Sequence, residues 1–225
     1  EGYATNNTPT VGIYQDEVAF PIPAGTQGLL FDLERVEVLR GPQGTLYGRN
    51  TTGGAINLIT GNPTDALSAG GSVEFGNLDL LRVEGFVSGG LGEAVRLRVA
   101  AATLQGGGFQ QRREDGARLG DQDIIAVRTK IALGREDGRL SVLLGAQYNR
   151  DRSEGRGVYL FNPTVPPVAG QPVFGPDRRR NLTSWGLSDS FAAILGYDTD
   201  QRPLRDNDSW LGWADVRFDL GFATL

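Results

Sequence analysis

The chain has 225 residues, a net charge of −5 at pH 7 and a pI near 4.9, a balance that argues against a nucleic-acid partner. It contains no Cys and no His, which removes disulfides, thiol chemistry, imidazole bases and the usual zinc ligands; neither an enzyme nor a cofactor-binding protein is expected. No apolar run approaches the ~20 residues of a membrane-spanning helix, and Glu1-Gly2-Tyr3-Ala4 has neither the basic start nor the apolar stretch of a secretory signal.

Residues 1–10 are polar and carry Pro9, which predicts a loop. Val11 to Phe20 reads as strand with a turn at Gln15-Asp16-Glu17, and Pro21 and Pro23 end it. Thr26 to Glu34 offers an N-capping Thr and Leu29, Leu30 and Leu33 at helical spacing, so one short amphipathic helix is expected there. Val36 and Val38 then alternate with charged neighbours as a strand with one buried face should. Gly41 breaks that strand. Pro42 can open a helical turn over Gln43 to Tyr47, Gly48 can close it at positive φ, and after Gly53-Gly54 the run Ala55 to Thr60 reads as a second strand.

The stretch Arg35 to Thr60 resembles the second half of the plug domain of TonB-dependent outer-membrane receptors. In that family a strand ending in an RGP-type turn is followed by a YG-containing helix and a GG-I-N strand. Here those elements are Glu37-Val38-Leu39-Arg40-Gly41-Pro42, Leu46-Tyr47-Gly48 and Gly53-Gly54-Ala55-Ile56-Asn57. Val11-Gly12-Ile13-Tyr14 and Asp32-Leu33-Glu34-Arg35 extend the resemblance, which departs at Gln15-Asp16-Glu17, where relatives often place a Gly after the Asp.

Beyond Gly61-Asn62-Pro63 the sequence turns polar and restarts as longer alternating segments, so residues 1–66 are read as the C-terminal half of a plug and 67–225 as the N-terminal part of a barrel. In those segments Val73 and Phe75 oppose Ser72 and Glu74, and Leu81, Val83 and Val87 oppose Arg82, Glu84 and Ser88. Val95, Leu97 and Val99 oppose Arg96 and Arg98; Ile125, Val127 and Ile131 oppose Arg128 and Lys130, the single Lys of the chain. Leu140, Val142 and Leu144 oppose Ser141 and Gln147, and Ala214, Val216 and Phe218 oppose Trp213, Asp215 and Arg217. A soluble sandwich would bury the apolar faces against each other, whereas an outer-membrane barrel turns them to lipid. The segments run to roughly 10 residues, near the ~9–11 of a tilted membrane-spanning strand, and short and long connections tend to fall on opposite sides. The expected fold is therefore mainly β: a fragment of a large transmembrane antiparallel β-barrel with a small α+β plug domain. An absent initiator Met and an end at Phe222-Ala223-Thr224-Leu225, inside a strand-like run, point the same way.

The resemblance implies that Arg40 and Arg49, with Glu37 nearby, pair with wall carboxylates, for which Glu74 and Glu84 are the candidates; the alternative is a solvated surface Arg. Gly41, Gly44, Gly48, Gly53 and Gly54 are assigned to backbone geometry, since the Lys and Ser/Thr ending of a phosphate-binding loop is missing; with Pro42, Tyr47 and Asn57 they complete the plug motif. In the long connection Asp151 to Asp208, Tyr159, Phe161 and Trp185 with Arg178-Arg179-Arg180 could stack on a ligand and attract an anion, or contact outer-leaflet sugar phosphates. Gly106-Gly107-Gly108-Phe109 to Arg118 is charged and expected to be flexible, with no specific signal. By resemblance the whole protein resides in the cell outer membrane of a Gram-negative bacterium among outer-membrane lipid. It imports a scarce substrate, most commonly a ferric siderophore and otherwise cobalamin or an oligosaccharide, with energy from TonB at the periplasmic face. A passive porin-like channel and a secreted β-sandwich binding module are the alternatives.

Overall fold

The computed structural model describes residues 10–19, 30–48, 51–112, 116–134, 138–155, 182–183, 189–196, 198 and 202–220. They form a small mixed sheet packed on one face of a larger antiparallel one.

The small sheet has the order β2-β1-β4-β3, from β1 (Val11–Gln15), β2 (Val18–Ala19), β3 (Leu33–Arg40) and β4 (Gly54–Thr60). β1 runs parallel to β4 with Ile13 opposite Ile56, and β3 runs antiparallel to β4 with Glu37 opposite Asn57. Between β3 and β4 lies the one-turn helix α1 (Gly44–Tyr47). It starts one residue later than expected: Gln43 is the cap, and Pro42 precedes the cap rather than opening the turn. Gly41 and Gly48 have φ of +84° and +76°, which a Cβ would strain. The β1–β2 hairpin turns through Asp16 (φ +47°) and Glu17 (φ +67°), a conformation in which Gly or Asn is usual.

The helix expected over Thr26 to Glu34 is corrected within its described part. Leu30 and Phe31 are not helical, Asp32 takes φ +51°, and Leu33 and Glu34 already belong to β3. Leu30 to Asp32 takes its partners from the large sheet, so helical spacing of leucines is overridden by tertiary contacts. Thr26 to Leu29 lie outside the described residues.

The large sheet is a meander of six strands in the order β13-β11-β10-β7-β6-β5. These are β5 (Ser68–Phe75), β6 (Leu81–Gly90), β7 (Val95–Gly106), β10 (Gln122–Leu133), β11 (Leu140–Asp151) and β13 (Asn207–Phe218). Short connections join β6 to β7 and β10 to β11 at one end. The long ones, residues 107–121 and 152–206, leave from the other. The first long connection is more ordered than its composition promised. Its strands β8 (Gln110–Arg112) and β9 (Arg118–Leu119) pair with each other, and β8 also pairs in parallel with β12 (Leu182–Thr183) of the second. The second also carries helix α2 (Asp189–Leu195).

The two faces of the meander are chemically opposite. Phe75 and Trp210 are 79% and 78% exposed, and Val73, Val87, Val127, Leu144 and Val216 are exposed on the same face. Register sets Val95, Leu97 and Val99 there too, opposite Leu133, Ile131 and Thr129. The other face buries Ser88, Arg128, Lys130 and Gln147 beside Ala100, Ala102 and Ala126. A soluble sandwich would do the reverse; an apolar face outward and a polar face inward is the arrangement of a barrel in lipid. The buried apolar cluster is Phe31 of the small unit with Ala100, Ala102, Ile124 and Ala126 of the wall, flanked by Phe86 and Leu104.

β5 and β13 are the outer strands of this sheet, each with one neighbour. In lipid the free edges would leave backbone N–H and C=O groups unpaired at several kcal/mol each. The 225-residue chain expressed by itself is therefore expected to give no heat-modifiable, protease-resistant band on refolding into detergent; such a band would refute the open-sheet account.

Candidate functional site

Alternation along the strands places five wall side chains under the small unit: Arg82 on β6, Arg98 on β7, Arg128 and Lys130 on β10, and Gln147 on β11. Register makes Lys130 the direct partner of Arg98, and Arg128 the partner of Gln147. Directly opposed like charges destabilise a sheet unless anions come between them. The small unit supplies two.

Asp32 takes Arg98 in two contacts, Nε donating to Oδ2 at 2.9 Å and Nη2 to Oδ1, with both side chains nearly buried. Arg98 also lies over the Phe86 ring at 3.7 Å. The chain passes so close at Gly61 that a Cβ there would stand 2.6 Å from the guanidinium. Lys130, 2% exposed, donates to Thr60 O at 3.1 Å and Asn62 Oδ1 at 3.2 Å and pairs with Asp16 Oδ1 at 3.2 Å, which uses its three protons. The Asp16 carboxylate in turn accepts from Thr60 N at 2.9 Å and Thr60 Oγ1 at 2.7 Å. These bonds hold the strained β1–β2 turn closed.

Arg128, 3% exposed, donates from Nη1 to Phe31 O at 3.1 Å and from Nε to Gln147 Oε1 at 2.7 Å, with its guanidinium 4.3 Å from the Phe31 ring centre. Gln147 Oε1 also accepts from Gln15 Nε2 at 2.8 Å. Arg82 Nη2 donates to Leu30 O at 2.5 Å. Three consecutive residues, Leu30, Phe31 and Asp32, are thus each held by an arginine from a different strand. The interface is a graded contact: charge pairs nearer the short-turn end, and the Phe31 ring in a recess floored by alanines above them.

The structure does not bring the expected ion pairs together. Arg40 is exposed, and no described wall carboxylate pairs with it; Arg49 lies outside the described residues. Glu84 pairs with Arg82 on its own strand at 3.0 Å, and Glu74 is exposed on β5. The reason is register. Leu33 pairs with Thr60, which touches Lys130, while Arg40 pairs with Gly54 at the opposite end of the small sheet, roughly 20 Å away at ~3.3 Å per residue. Among the described residues the polarity is the reverse of the expectation: cations on the wall, acids on the small unit.

The remaining motif residues build the small unit itself. Glu37 Oε2 accepts from Asn57 Nδ2 at 3.4 Å, and Glu37 pairs with Arg35 at 2.8 Å, a bond that raises the pKa of Arg35 further above its ordinary value. Asn57 is buried and its Oδ1 accepts from Glu17 N at 3.3 Å. Tyr47 O accepts from Tyr14 Oη at 2.5 Å, and the two rings meet edge to face at 4.7 Å. Tyr14, Glu17, Ala19 and Tyr47 line a cleft of about 410 Å³. Gly44 opens α1, and Gly53 N donates to Thr10 O at 2.7 Å. Tyr159, Phe161, Arg178, Arg179, Arg180 and Trp185 lie outside the described residues. No group of three potential metal ligands occurs among the described residues.

Comparison with known proteins matches residues 5–55 to the TonB-dependent Receptor Plug Domain family. A 55-residue stretch is 47% identical to the pesticin receptor of Yersinia pestis, covering 24% of this chain and 8% of that protein. The crystal structure of the ferric yersiniabactin uptake receptor FyuA from Yersinia pestis superposes with a TM-score of 0.58 at 28% identity, over 65% of this chain and 23% of that one. The siderophore receptor PiuA from Acinetobacter baumannii shares the fold over 92% of this chain and 26% of its own, with a TM-score of 0.68 at 18% identity. The chain spans less than a third of the length of each.

Breaking a buried ion pair from one side strands the remaining charge. In the full-length protein Lys130→Met is therefore expected to lower the stability of the small unit by about 3–5 kcal/mol in denaturant melts. Lys130→Met combined with Asp16→Asn should cost less than the two single changes summed. Phe31→Ala should cost about 3–5 kcal/mol through the cavity it leaves. Unchanged midpoints for all of these would contradict the interface as drawn.

Proposed function

We propose that this chain, a part of a TonB-dependent outer-membrane receptor, belongs to a transporter that takes up a ferric siderophore with energy delivered by TonB. The observation that carries the reading is the grip of Arg82, Arg98, Arg128 and Lys130 on Leu30, Phe31, Asp32 and Asp16. A lumenal unit bound to the wall on this scale blocks passive flow, so a substrate passes only if the unit is displaced or remodelled. Work is needed for that, and the outer membrane has no energy source of its own.

The contacts suit reversible release. Apart from Phe31 they are hydrogen bonds and ion pairs, which water can replace as the surfaces part. The wall's apolar face is committed to lipid and stays in place while the small unit moves. The ferric siderophore as cargo is supported by the receptor for ferric yersiniabactin, the solved relative at 28% identity. Cobalamin and oligosaccharides are the competing cargoes.

In an iron-limited host lacking this gene, the full-length receptor is expected to restore uptake of at least one member of a panel of ferric siderophores of yersiniabactin, catecholate and pyoverdine types. It should not restore cobalamin or glycan uptake, and deletion of TonB should abolish the gain. Full-rate uptake without TonB would identify a passive channel instead, and restoration of cobalamin uptake alone would reassign the cargo.

A further inference from the structure

Building on the receptor reading, we infer that Glu154 is a positioning residue that clamps together the roots of the wall's two long connections, the base from which ligand contacts at that end are made. Glu154 lies just beyond β11, with its side chain 13% exposed. Its Oε2 accepts from Gly120 N at 3.0 Å and Asp121 N at 3.3 Å, and its Oε1 pairs with Arg202. Its own N–H donates to Asp121 O at 2.8 Å, and its backbone bridges to Leu204. One residue therefore joins three passes of the chain: the root of connection 107–121, the outgoing limb of 152–206 and its returning limb.

The neighbouring residues continue the joint. Ser153, almost fully buried, accepts Asp123 N on its hydroxyl at 3.1 Å and Arg205 N on its carbonyl at 2.8 Å, and Gly155 N donates to Pro203 O. Farther out, β12 pairs with β8, so the second connection is tied to the first again beyond the clamp. Gly120 has φ +95°, a conformation that favours glycine and that brings its N–H and the next to the same carboxylate oxygen. A carboxylate fits this junction because it accepts in two directions and carries the charge that Arg202 needs.

Contacts made above a fixed root cost less conformational freedom than contacts made above a loose one. The clamp should thus govern affinity at that end and leave displacement of the small unit untouched. The test uses the full-length receptor in iron-limited cells with the same ferric siderophore panel. Receptor level, half-saturating concentration, maximal rate per receptor and cleavage by protease added to intact cells are read for Glu154→Ala and Glu154→Gln.

Glu154→Ala is expected to raise half-saturation about tenfold, the loss of roughly one charge-assisted contact, at an unchanged maximal rate, and to speed cleavage within residues 107–121 or 152–206. Glu154→Gln keeps an acceptor oxygen but no charge for Arg202 and should fall between. Unchanged half-saturation, or a loss confined to maximal rate, overturns the assignment. A wild-type receptor that takes up none of the panel refutes the functional reading instead. In that case cleavage alone decides the clamp, and an unaltered cleavage rate rejects it.

Discussion

Arg98 and Lys130 face each other across the β7–β10 ladder, and Lys130 is almost sealed from water. Two cations in that position repel each other and have given up hydration, so the wall by itself is electrostatically incomplete. Asp32 and Asp16 complete it from the small unit. Asp32 sits just before β3, and Asp16 forms the β1–β2 turn. Asp16 and Asp32 thus both stand at ends of the small sheet's strands, next to the wall. Asp16 and Asp32 both have positive φ, Asp16 as part of the two-residue β1–β2 turn, and each presents its carboxylate to a wall cation.

How much of this can be read from residues alone depends on the range of the interaction. The six long strands are legible because a period of two is local: Val95, Leu97 and Val99 alternate with Arg96 and Arg98 whatever lies on either side. The inversion of faces is legible too, since strand length and loop placement already favoured lipid over a dry core. The unit around Gly41, Gly48 and Gly54 could be read because positive φ selects glycine at fixed places in a short unit.

The charge pairing was not legible. Asp16 and Lys130, like Asp32 and Arg98, are far apart in sequence, and nothing local tells which acid will lie over which base. The family pattern directed attention to Arg40, yet the register of β3 on β4 puts Arg40 at the end of the small sheet opposite the described wall. Leu30 to Asp32 misled for a related reason. Leucines at helical spacing describe what a segment would do unassisted, and here the wall supplies partners for the backbone carbonyls of Leu30 and Phe31. Lys130, the chain's single Lys, stands on the face of β10 turned from lipid, but Arg128 on the same face meets a carbonyl and an amide, so an inward cation does not by itself announce an acid.

The two faces of the wall differ in how firmly they hold what they touch. Exposed Val87, Val127 and Val216 cannot leave an apolar medium without the full hydrophobic cost. On the inner face, by contrast, several bonds end on backbone oxygens, at Leu30, Phe31 and Thr60. Carbonyls accept from arginine, lysine or water, more strongly from the cations, so parting the surfaces exchanges partners and leaves no oxygen unpaired. Phe31 is the exception, since its ring is buried among Ala100, Ala102 and Ala126 and gains nothing from water. Among the described residues Phe31 is thus the apolar anchor of the small unit on the wall, and the contacts around it are polar ones whose partners water can replace.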